Sequence, residues 1–162
     1  MSRPRRVVGV IADTHGEVPA AAIAALEDAD HVIHAGDVEG RDHLDALGPP
    51  ARVTAVRGNM DGPSLGRPQT ALVEIERVAI YVLHDLADLE LDPAAAGVRI
   101  VVHGHTHRAD IAERGGVLYL NPGSASRPRG RRGASVARLV IEGGAAAAEI
   151  VPLDAGAPRR TR

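Results

Sequence analysis

Five short runs of apolar, mostly β-branched residues recur along the chain, and each is followed directly by a polar residue. Continuous apolar runs of this length are typical of strands that are buried on both faces of a sheet. The residues that end them are carboxylic acids, an amide and histidines. The runs with their endings are RVVGVIADTH (6–15), HVIHAGD (31–37), RVTAVRGN (52–59), VAIYVLHD (78–85) and VRIVVHGHTH (98–107).

Helices are predicted between the first three of these strands. PAAAIAALEDA (19–29) is rich in alanine and opens with Pro19, and GRDHLDALG (40–48) ends at Gly48, which suits a C-cap. Alternation of strand and helix predicts parallel strands joined by right-handed crossovers. Because ligands bind at the carboxyl ends of such strands, we expect the five polar endings to converge in space.

The later part of the chain has the pattern of β-hairpins. Three segments, 70–83, 109–120 and 134–151, are expected to turn at Glu76–Arg77, Gly115–Gly116 and Gly143–Gly144. They predict a second, antiparallel or mixed sheet that packs on the first. We therefore expect an α/β protein with a single domain over residues 1–156 and a disordered tail at 157–162.

Composition narrows the chemistry that this fold can carry. Phe, Trp and Cys are absent and there are two Tyr, so the core must consist of Val, Ile, Leu and Ala. The lack of Cys excludes disulfides, thiolate zinc sites and cysteine nucleophiles, and leaves nitrogen and oxygen to hold any metal. The early apolar run VVGVIA is too short to span a membrane, so we expect a cytoplasmic protein without membrane contact.

The polar endings supply seven candidate metal ligands. Any one of them alone also fits an ordinary role, such as an N-cap or a turn residue, but together they form a hard-to-borderline ligand set. Seven ligands exceed the needs of one ion, whereas two ions sharing a carboxylate would use them all. Such pairs lie about 3.5–4 Å apart and clamp an in-line displacement at phosphorus. The candidates are Asp13, His15, Asp37, Asn59, His84, His105 and His107.

Six short motifs make the chain resemble the calcineurin-like metallophosphoesterases, and most of all the small prokaryotic YfcE-type phosphodiesterases. They are ADTHG, HAGD, RGNMD, LHD, GHTH and NPGS, in that order between residues 7 and about 126. The resemblance implies a four-layer α/β/β/α sandwich of two mixed sheets flanked by helices. It also implies two divalent ions, with Mn²⁺ favoured over Fe²⁺, Ni²⁺, Co²⁺ or Zn²⁺.

The same resemblance assigns the ligands. Asp13, His15 and His107 would hold the first ion, Asn59, His84 and His105 the second, and Asp37 would bridge the two. Asp37, Asn59 and His84 would be the catalytic residues, and the reaction would be hydrolysis of a phosphodiester by a hydroxide between the ions.

Several neighbouring residues are left with open roles. We expect His34 and Asp61 to lie behind the ligands, Asp61 orienting the Asn59 loop. Asp85 replaces the glycine that commonly follows the fourth-motif histidine, and either adds a carboxylate near the second ion or occupies a turn. The role of His103 is also open: the family pattern leaves its position variable, and it lies beside two candidate ligands and could act as an acid.

Arginine side chains are the remaining candidates for contact with substrate. Arg57, Arg127 and Arg129 could neutralise a phosphate, although surface solvation is the expectation for Arg127 and Arg129. The segment 127–132 is expected to be a mobile loop.

The expected substrate is a small phosphodiester, and three rival functions remain. A scaffold is one, because a retromer subunit resembles this fold while lacking key metal-site histidines, which are present here. A nuclease is disfavoured by the net charge of −2 and the lack of aromatic platforms, so no specific nucleic acid is expected. A phosphomonoesterase or protein phosphatase is the third, and Met60 weighs mildly against a protein phosphatase because it stands where many phosphatases have a proton-donating histidine. A homo-oligomer remains open.

Overall fold

The computed structural model describes residues 4–153 as ten strands and two α-helices. The predicted tail at 157–162 and the predicted domain end at residue 156 lie outside the described residues. In chain order the elements are β1 (Arg5–Ile11), α1 (Ala20–Leu26), β2 (His31–His34), α2 (Arg41–Asp45), β3 (Val53–Ala55), β4 (Thr70–Ile75), β5 (Val78–Leu83), β6 (Ile100–Val102), β7 (Ala109–Arg114), β8 (Val117–Pro122), β9 (Ser135–Glu142) and β10 (Ala145–Pro152).

The strands form two mixed sheets of five strands each, which confirms the predicted α/β sandwich. The first sheet has the order β10-β9-β1-β2-β3, with β1, β2 and β3 parallel, as the strand–helix alternation predicted. The second has the order β4-β5-β6-β8-β7, with β5, β6 and β8 parallel. All five apolar runs are therefore strands, divided between the two sheets.

The three predicted hairpins form, but the last one lies in the first sheet and not in the second. β9 runs antiparallel along β1, with Val10 opposite Ala137. Leu139 and Ile141 of β9 face the core between the sheets, while Val136 packs on the opposite face. A strand with apolar residues on both faces needs cover on both sides, which either sheet could provide. The long-range pairing with β1 places the hairpin in the first sheet.

Aliphatic side chains fill the space between the sheets. Both sheets contribute alternate residues of their strands, among them Val8, Val10 and Ile33 from the first and Ile80 and Val102 from the second. The core thus consists of Val, Ile, Leu and Ala, as the composition required.

The outer faces of the two sheets are covered differently. Both α-helices pack on the first sheet, where Leu26 and Leu44 are buried with Val7 and Ile11. The outer face of the second sheet is covered by a 3₁₀ turn at Leu86–Asp88 and the loop after it. Among residues 4–153, no helix has the length and apolar character needed to cross a membrane.

A close approach of two loops joins the carboxyl ends of the two sheets. The N–H of His105, after β6, donates to Asp13 Oδ2, after β1, at 2.9 Å, while the Gly104 N–H donates to the His84 carbonyl within the second sheet at 2.9 Å. A Cβ on Gly104 would lie 2.9 Å from both the Ala12 Cβ and Asp13 Oδ2, so only glycine fits between the sheets here.

Gly104→Ala should therefore destabilise the protein by about 1–3 kcal/mol, the usual cost of overpacking. Gly62→Ala is the matched control, because a Cβ there has only Ser64 Oγ nearby, at 3.9 Å. Urea unfolding of both variants measures the difference. Equal stability of Gly104→Ala and the parent would show that the loops separate freely.

Candidate metal centre

The seven predicted ligands lie together at the carboxyl edges of the two sheets. Asp13 and His15 follow β1, Asp37 follows β2 and Asn59 follows β3. The other three follow strands of the second sheet, His84 after β5 and His105 and His107 after β6. The convergence expected from the sequence is therefore present, and it draws on both sheets.

Many of these residues have unusual backbone conformations. Asp13, His15, Asp37, His105 and His107 all have positive φ, between 48° and 76°. Non-glycine residues in this region carry a cost of about 1–3 kcal/mol each and cluster at functional sites. The strain therefore marks the same loops that carry the candidate ligands.

One group of candidate ligands consists of Asp13, His15 and His107, with one ligand atom of each within 4.8 Å of the others. The Nε2 atoms of His15 and His107 are 3.0 Å apart. His15 Nδ1 lies 2.6 Å from Glu39 Oε2, and His107 Nδ1 lies 2.7 Å from the Arg127 carbonyl oxygen. Because those oxygens only accept, both Nδ1 atoms carry the proton and the two Nε2 lone pairs face each other.

The second group consists of Asn59, His84 and His105. Asn59 Oδ1 lies 3.0 Å from His84 Nε2 and 3.1 Å from His105 Nδ1. His84 Nδ1 donates to the Ala35 carbonyl at 2.8 Å, which directs its Nε2 at the other two side chains.

Asp37 lies between the two groups. Its Oδ2 is 3.3 Å from His84 Nε2 and 3.7 Å from His15 Nε2, one histidine from each group. Oδ1 accepts a hydrogen bond from the Met60 N–H at 2.8 Å. Burial opposes ionisation of Asp37, but the hydrogen bonds from His84 and Met60 outweigh it and lower its pKa.

Asp13 provides the test of whether a cation fits here. Its Oδ1 is buried without a hydrogen-bond partner, at 3.5 Å from His107 Nε2 and 3.8 Å from His84 Nε2. Burial, only partly offset by these histidines, raises the pKa of Asp13. A buried carboxylate oxygen without a hydrogen-bond partner, with imidazole nitrogens around it, is satisfied by a metal ion, so the donor set fits divalent ions.

Asp61 and His34 hold the loops that carry these ligands. Asp61 accepts three backbone hydrogen bonds, from Val38, Glu39 and Gly58, so it ties the Asp37 loop to the Asn59 loop. His34 is fully buried; its Nδ1 accepts from the Gly36 N–H. Burial lowers the pKa of His34 to about 3, so it is neutral and Nε2–H donates to Thr14 Oγ1 at 3.0 Å.

Glu39 is a site residue that the sequence did not reveal. It contacts His15 Nδ1 at 2.6 Å and fixes the orientation of that ring. It stands in the stretch GDVEG with no periodicity or spacing that separates it from a surface glutamate. Its own φ of 58° turns the side chain back toward His15 and is visible only in the structure.

His103 and Asp85 are placed differently from the ligands. His103 is buried and its pKa is lowered to about 4, chiefly by burial, with smaller effects from the charges of Asp110, Arg114 and Asp85. Asp85 accepts from the Ala87 N–H as the cap of a 3₁₀ turn, and its Oδ2 lies 3.6 Å from His105 Nε2. Asp85 thus occupies a turn and also lies beside a candidate ligand.

Two cavities open at this centre and share Asn59. The smaller, of about 390 Å³, has His15, Asp37, His105 and His107 at its base and Arg127 and Arg129 in its wall. The larger, of about 590 Å³, is lined by His84, Arg57, Gln69, Tyr81 and three carboxylates. Arg127 and Arg129, expected to be solvated surface residues, thus line the cavity that contains the candidate ligands.

Residues 7–144 match the profile of the calcineurin-like phosphoesterase superfamily domain. The chain belongs to this superfamily. It is 38% identical to a probable metallophosphoesterase of Methanocaldococcus jannaschii over 136 residues, covering 76% of this chain and 70% of that protein. It is 36% identical to the phosphodiesterase YfcE of Escherichia coli K12 over 96 residues, 54% of this chain and 52% of YfcE.

Solved structures of the superfamily have the same fold. A Streptococcus pneumoniae protein described as a predicted phosphoesterase superposes with a TM-score of 0.75 and 26% identity, covering 93% of this chain and 91% of the other. A single mutant of Vps29 from Entamoeba histolytica superposes with a TM-score of 0.70 and 25% identity, covering 90% and 98%. Membership implies divalent metal ions, in agreement with the orphaned oxygen of Asp13.

Glu39→Gln should weaken metal binding by about 10- to 100-fold, because carboxylate partners of ligating histidines contribute to that extent. The glutamine keeps the length of the side chain but removes the charge that orients His15. Competition with a chromogenic chelator measures the affinity. Glu17→Gln changes an exposed glutamate nearby and is the control. Equal metal affinities of the two variants would show that Glu39 does not support metal binding.

Proposed function

We propose that this protein hydrolyses small phosphodiesters with two divalent metal ions held by the seven residues. The observation that carries the proposal is the position of Asp37, whose carboxylate lies between a His15 group and a His84 group. A carboxylate between two sets of imidazole and oxygen donors is the arrangement that a two-ion centre requires.

Each residue has a defined part in this proposal. Asp13, His15 and His107 would hold one ion, Asn59, His84 and His105 would hold the other, and Asp37 would bridge them. When bound, the ions supply a Lewis acid for the phosphoryl oxygens and activation of water. The nitrogen and oxygen donors accept Mn²⁺, Fe²⁺, Co²⁺, Ni²⁺ or Zn²⁺, and Mn²⁺ is the choice that the resemblance favours.

The chain itself fixes the geometry of the reaction. Hydrogen bonds from His84 to the Ala35 carbonyl and from His107 to the Arg127 carbonyl keep both rings oriented with the proton on Nδ1. Asp61 and His34 hold the loops behind them. Preorganised groups of this kind supply most of the catalysis in phosphoryl transfer.

The two cavities favour a diester over a monoester. A phosphodiester carries two substituents on phosphorus, and two cavities that meet at Asn59 offer one space for each. The phosphodiesterase YfcE, a relative, acts by its name on this class of substrate.

A scaffold function is the second candidate, because Vps29 has a similar fold. The complete donor set favours catalysis. Each candidate histidine ligand has its remote nitrogen facing an acceptor or carboxylate, an arrangement that a pure interaction surface does not need.

Asp37→Ala should reduce the metal content below two ions per chain and lower activity by more than about 100-fold, because it removes a ligand from both ions. Elemental analysis after reloading, with a bis(p-nitrophenyl) phosphate assay, measures both. Asp45→Ala, at an exposed position of α2, is the control. A single ion in the fully active parent would refute the dinuclear centre, and unchanged activity of His105→Ala and His107→Ala would refute the ligand assignment.

Met60 leads to a prediction about leaving groups. Its side chain is 57% exposed at the cavity with Asn59 and cannot donate a proton. Positioned acid catalysis contributes about 10²- to 10⁴-fold, so the parent should cleave aryl diesters far faster than alkyl ones. Met60→His should flatten the dependence of kcat/KM on leaving-group pKa by accelerating the slow substrates, whereas Met60→Gln should not.

His103 is the residue that would contradict this prediction. If it were the acid, the parent would show a flat leaving-group dependence that becomes steep in His103→Ala. Because the His103 ring is buried near Asp110 and Arg114, we expect the dependence to be steep in both proteins.

A further inference from the structure

The two cavities at the centre differ in charge. The smaller has two arginines, Arg127 and Arg129, in its wall. The larger has three carboxylates, Asp85, Asp88 and Glu90, and a single arginine, Arg57. A diester with one substituent in each cavity therefore meets opposite charges on its two sides. This difference in charge can orient a substrate only if Arg127 and Arg129 are held beside the centre.

The backbone of the arginine segment is attached directly to a candidate ligand. The Arg127 carbonyl accepts from His107 Nδ1 at 2.7 Å, and the Arg129 N–H donates to the His107 carbonyl at 2.9 Å. The Arg127 N–H donates to Ser124 Oγ at 2.8 Å, and Ser124 Oγ in turn donates to the Asp13 carbonyl. The first residues of the loop expected to be mobile are thus fixed beside the centre.

The contacts of Arg127 and Arg129 with His107 and Ser124 involve only the backbone of the two arginines, so their side chains are available for other contacts. Within residues 4–153, neither the Arg127 nor the Arg129 guanidinium pairs with a carboxylate. Both residues are exposed, whereas His107 and Asp37 at the base of the cavity are buried. Arg127 and Arg129 are therefore exposed residues of the cavity wall, where a substituent of the phosphorus would lie, and not part of the buried set that would hold the ions.

We infer that Arg127 and Arg129 bind a second oxyanion of the substrate, a carboxylate or phosphate on the ester substituent that occupies the smaller cavity. The larger cavity then takes the uncharged substituent, because its carboxylate majority repels an anion. This inference rests on the proposed phosphodiesterase function and adds the charge and the orientation of its substrate.

A matched pair of substrates tests the inference with the full-length, metal-loaded protein. The p-nitrophenyl 3-carboxypropyl and p-nitrophenyl butyl phosphates have the same leaving group and nearly the same shape, and differ in one carboxylate. We expect kcat/KM of the parent to be about tenfold higher for the carboxylated ester, since two charge-assisted contacts act at an exposed site.

Arg127→Gln/Arg129→Gln should reduce this ratio to about one. Arg131→Gln/Arg132→Gln is the control: it removes the same charge from the same loop, at residues outside the cavity lining, and should keep the ratio. The substitutions leave the backbone contacts to His107 intact. If the ratio of the two kcat/KM values fell equally in both double variants, the preference would come from the overall charge of the loop, and the inference would be overturned.

Direct binding provides a readout that needs no turnover. Calorimetry should show that the parent binds 4-phosphonobutyrate more tightly than butylphosphonate, and that only the Arg127/Arg129 variant loses the difference. If the parent hydrolyses both esters at equal kcat/KM and binds both phosphonates equally, the second-oxyanion site is wrong while the phosphodiesterase function stands. If it hydrolyses neither ester under any metal, the function fails and the inference fails with it.

Discussion

The structure depends on a cluster of carboxylate oxygens and imidazole nitrogens gathered around a buried oxygen that has no hydrogen-bond partner. That oxygen is Asp13 Oδ1, and the Nε2 atoms of His15, His84 and His107 face it, while the Nδ1 of each ring contacts an oxygen on the far side. A cluster of this kind becomes favourable around cations. The loops that carry these groups can hold their unfavourable backbone conformations because the two packed sheets support them.

That support comes from the way the sheets meet. The first sheet brings Asp13, Asp37 and Asn59 to one edge, and the second brings the candidate histidine ligands that follow β5 and β6. The bond from the His105 N–H to Asp13 Oδ2 joins the two edges, so one carboxylate serves both the fold and the centre. Formation of the centre and packing of the sheets are therefore coupled, and binding of ions should add to the stability of the native state.

Much of the fold could be predicted from the sequence because the signals are local. Apolar runs ending in polar residues identified the strands and the candidate ligands, and the Gly115–Gly116 and Gly143–Gly144 pairs identified two of the hairpins. The sheet to which the last hairpin belongs could not be predicted, because β9 pairs with β1, a strand more than a hundred positions earlier in the sequence. Its burial on both faces is compatible with either sheet until the partner is known.

The positions of Glu39, Arg127 and Arg129 beside the candidate ligands could not be predicted from the sequence, for a similar reason. Glu39 contacts a histidine 24 positions away through a left-handed backbone turn, and no spacing rule encodes that contact. Arg127 and Arg129 looked like solvated residues because an arginine-rich, glycine-containing segment normally is one. What places them at the centre is a pair of backbone contacts with His107, and these do not depend on the identity of the side chains.

Because Arg127 and Arg129 contact His107 only through their backbone, the orientation of His107 does not depend on which side chains stand at these two positions. The side chains at 127 and 129 can be exchanged while the carbonyl and N–H that orient His107 remain. If Arg127 and Arg129 contact the substrate as proposed, such exchanges would alter which molecules bind and leave the candidate ligands in place. Saturation libraries at these two positions would then be a direct route to new substrate preferences.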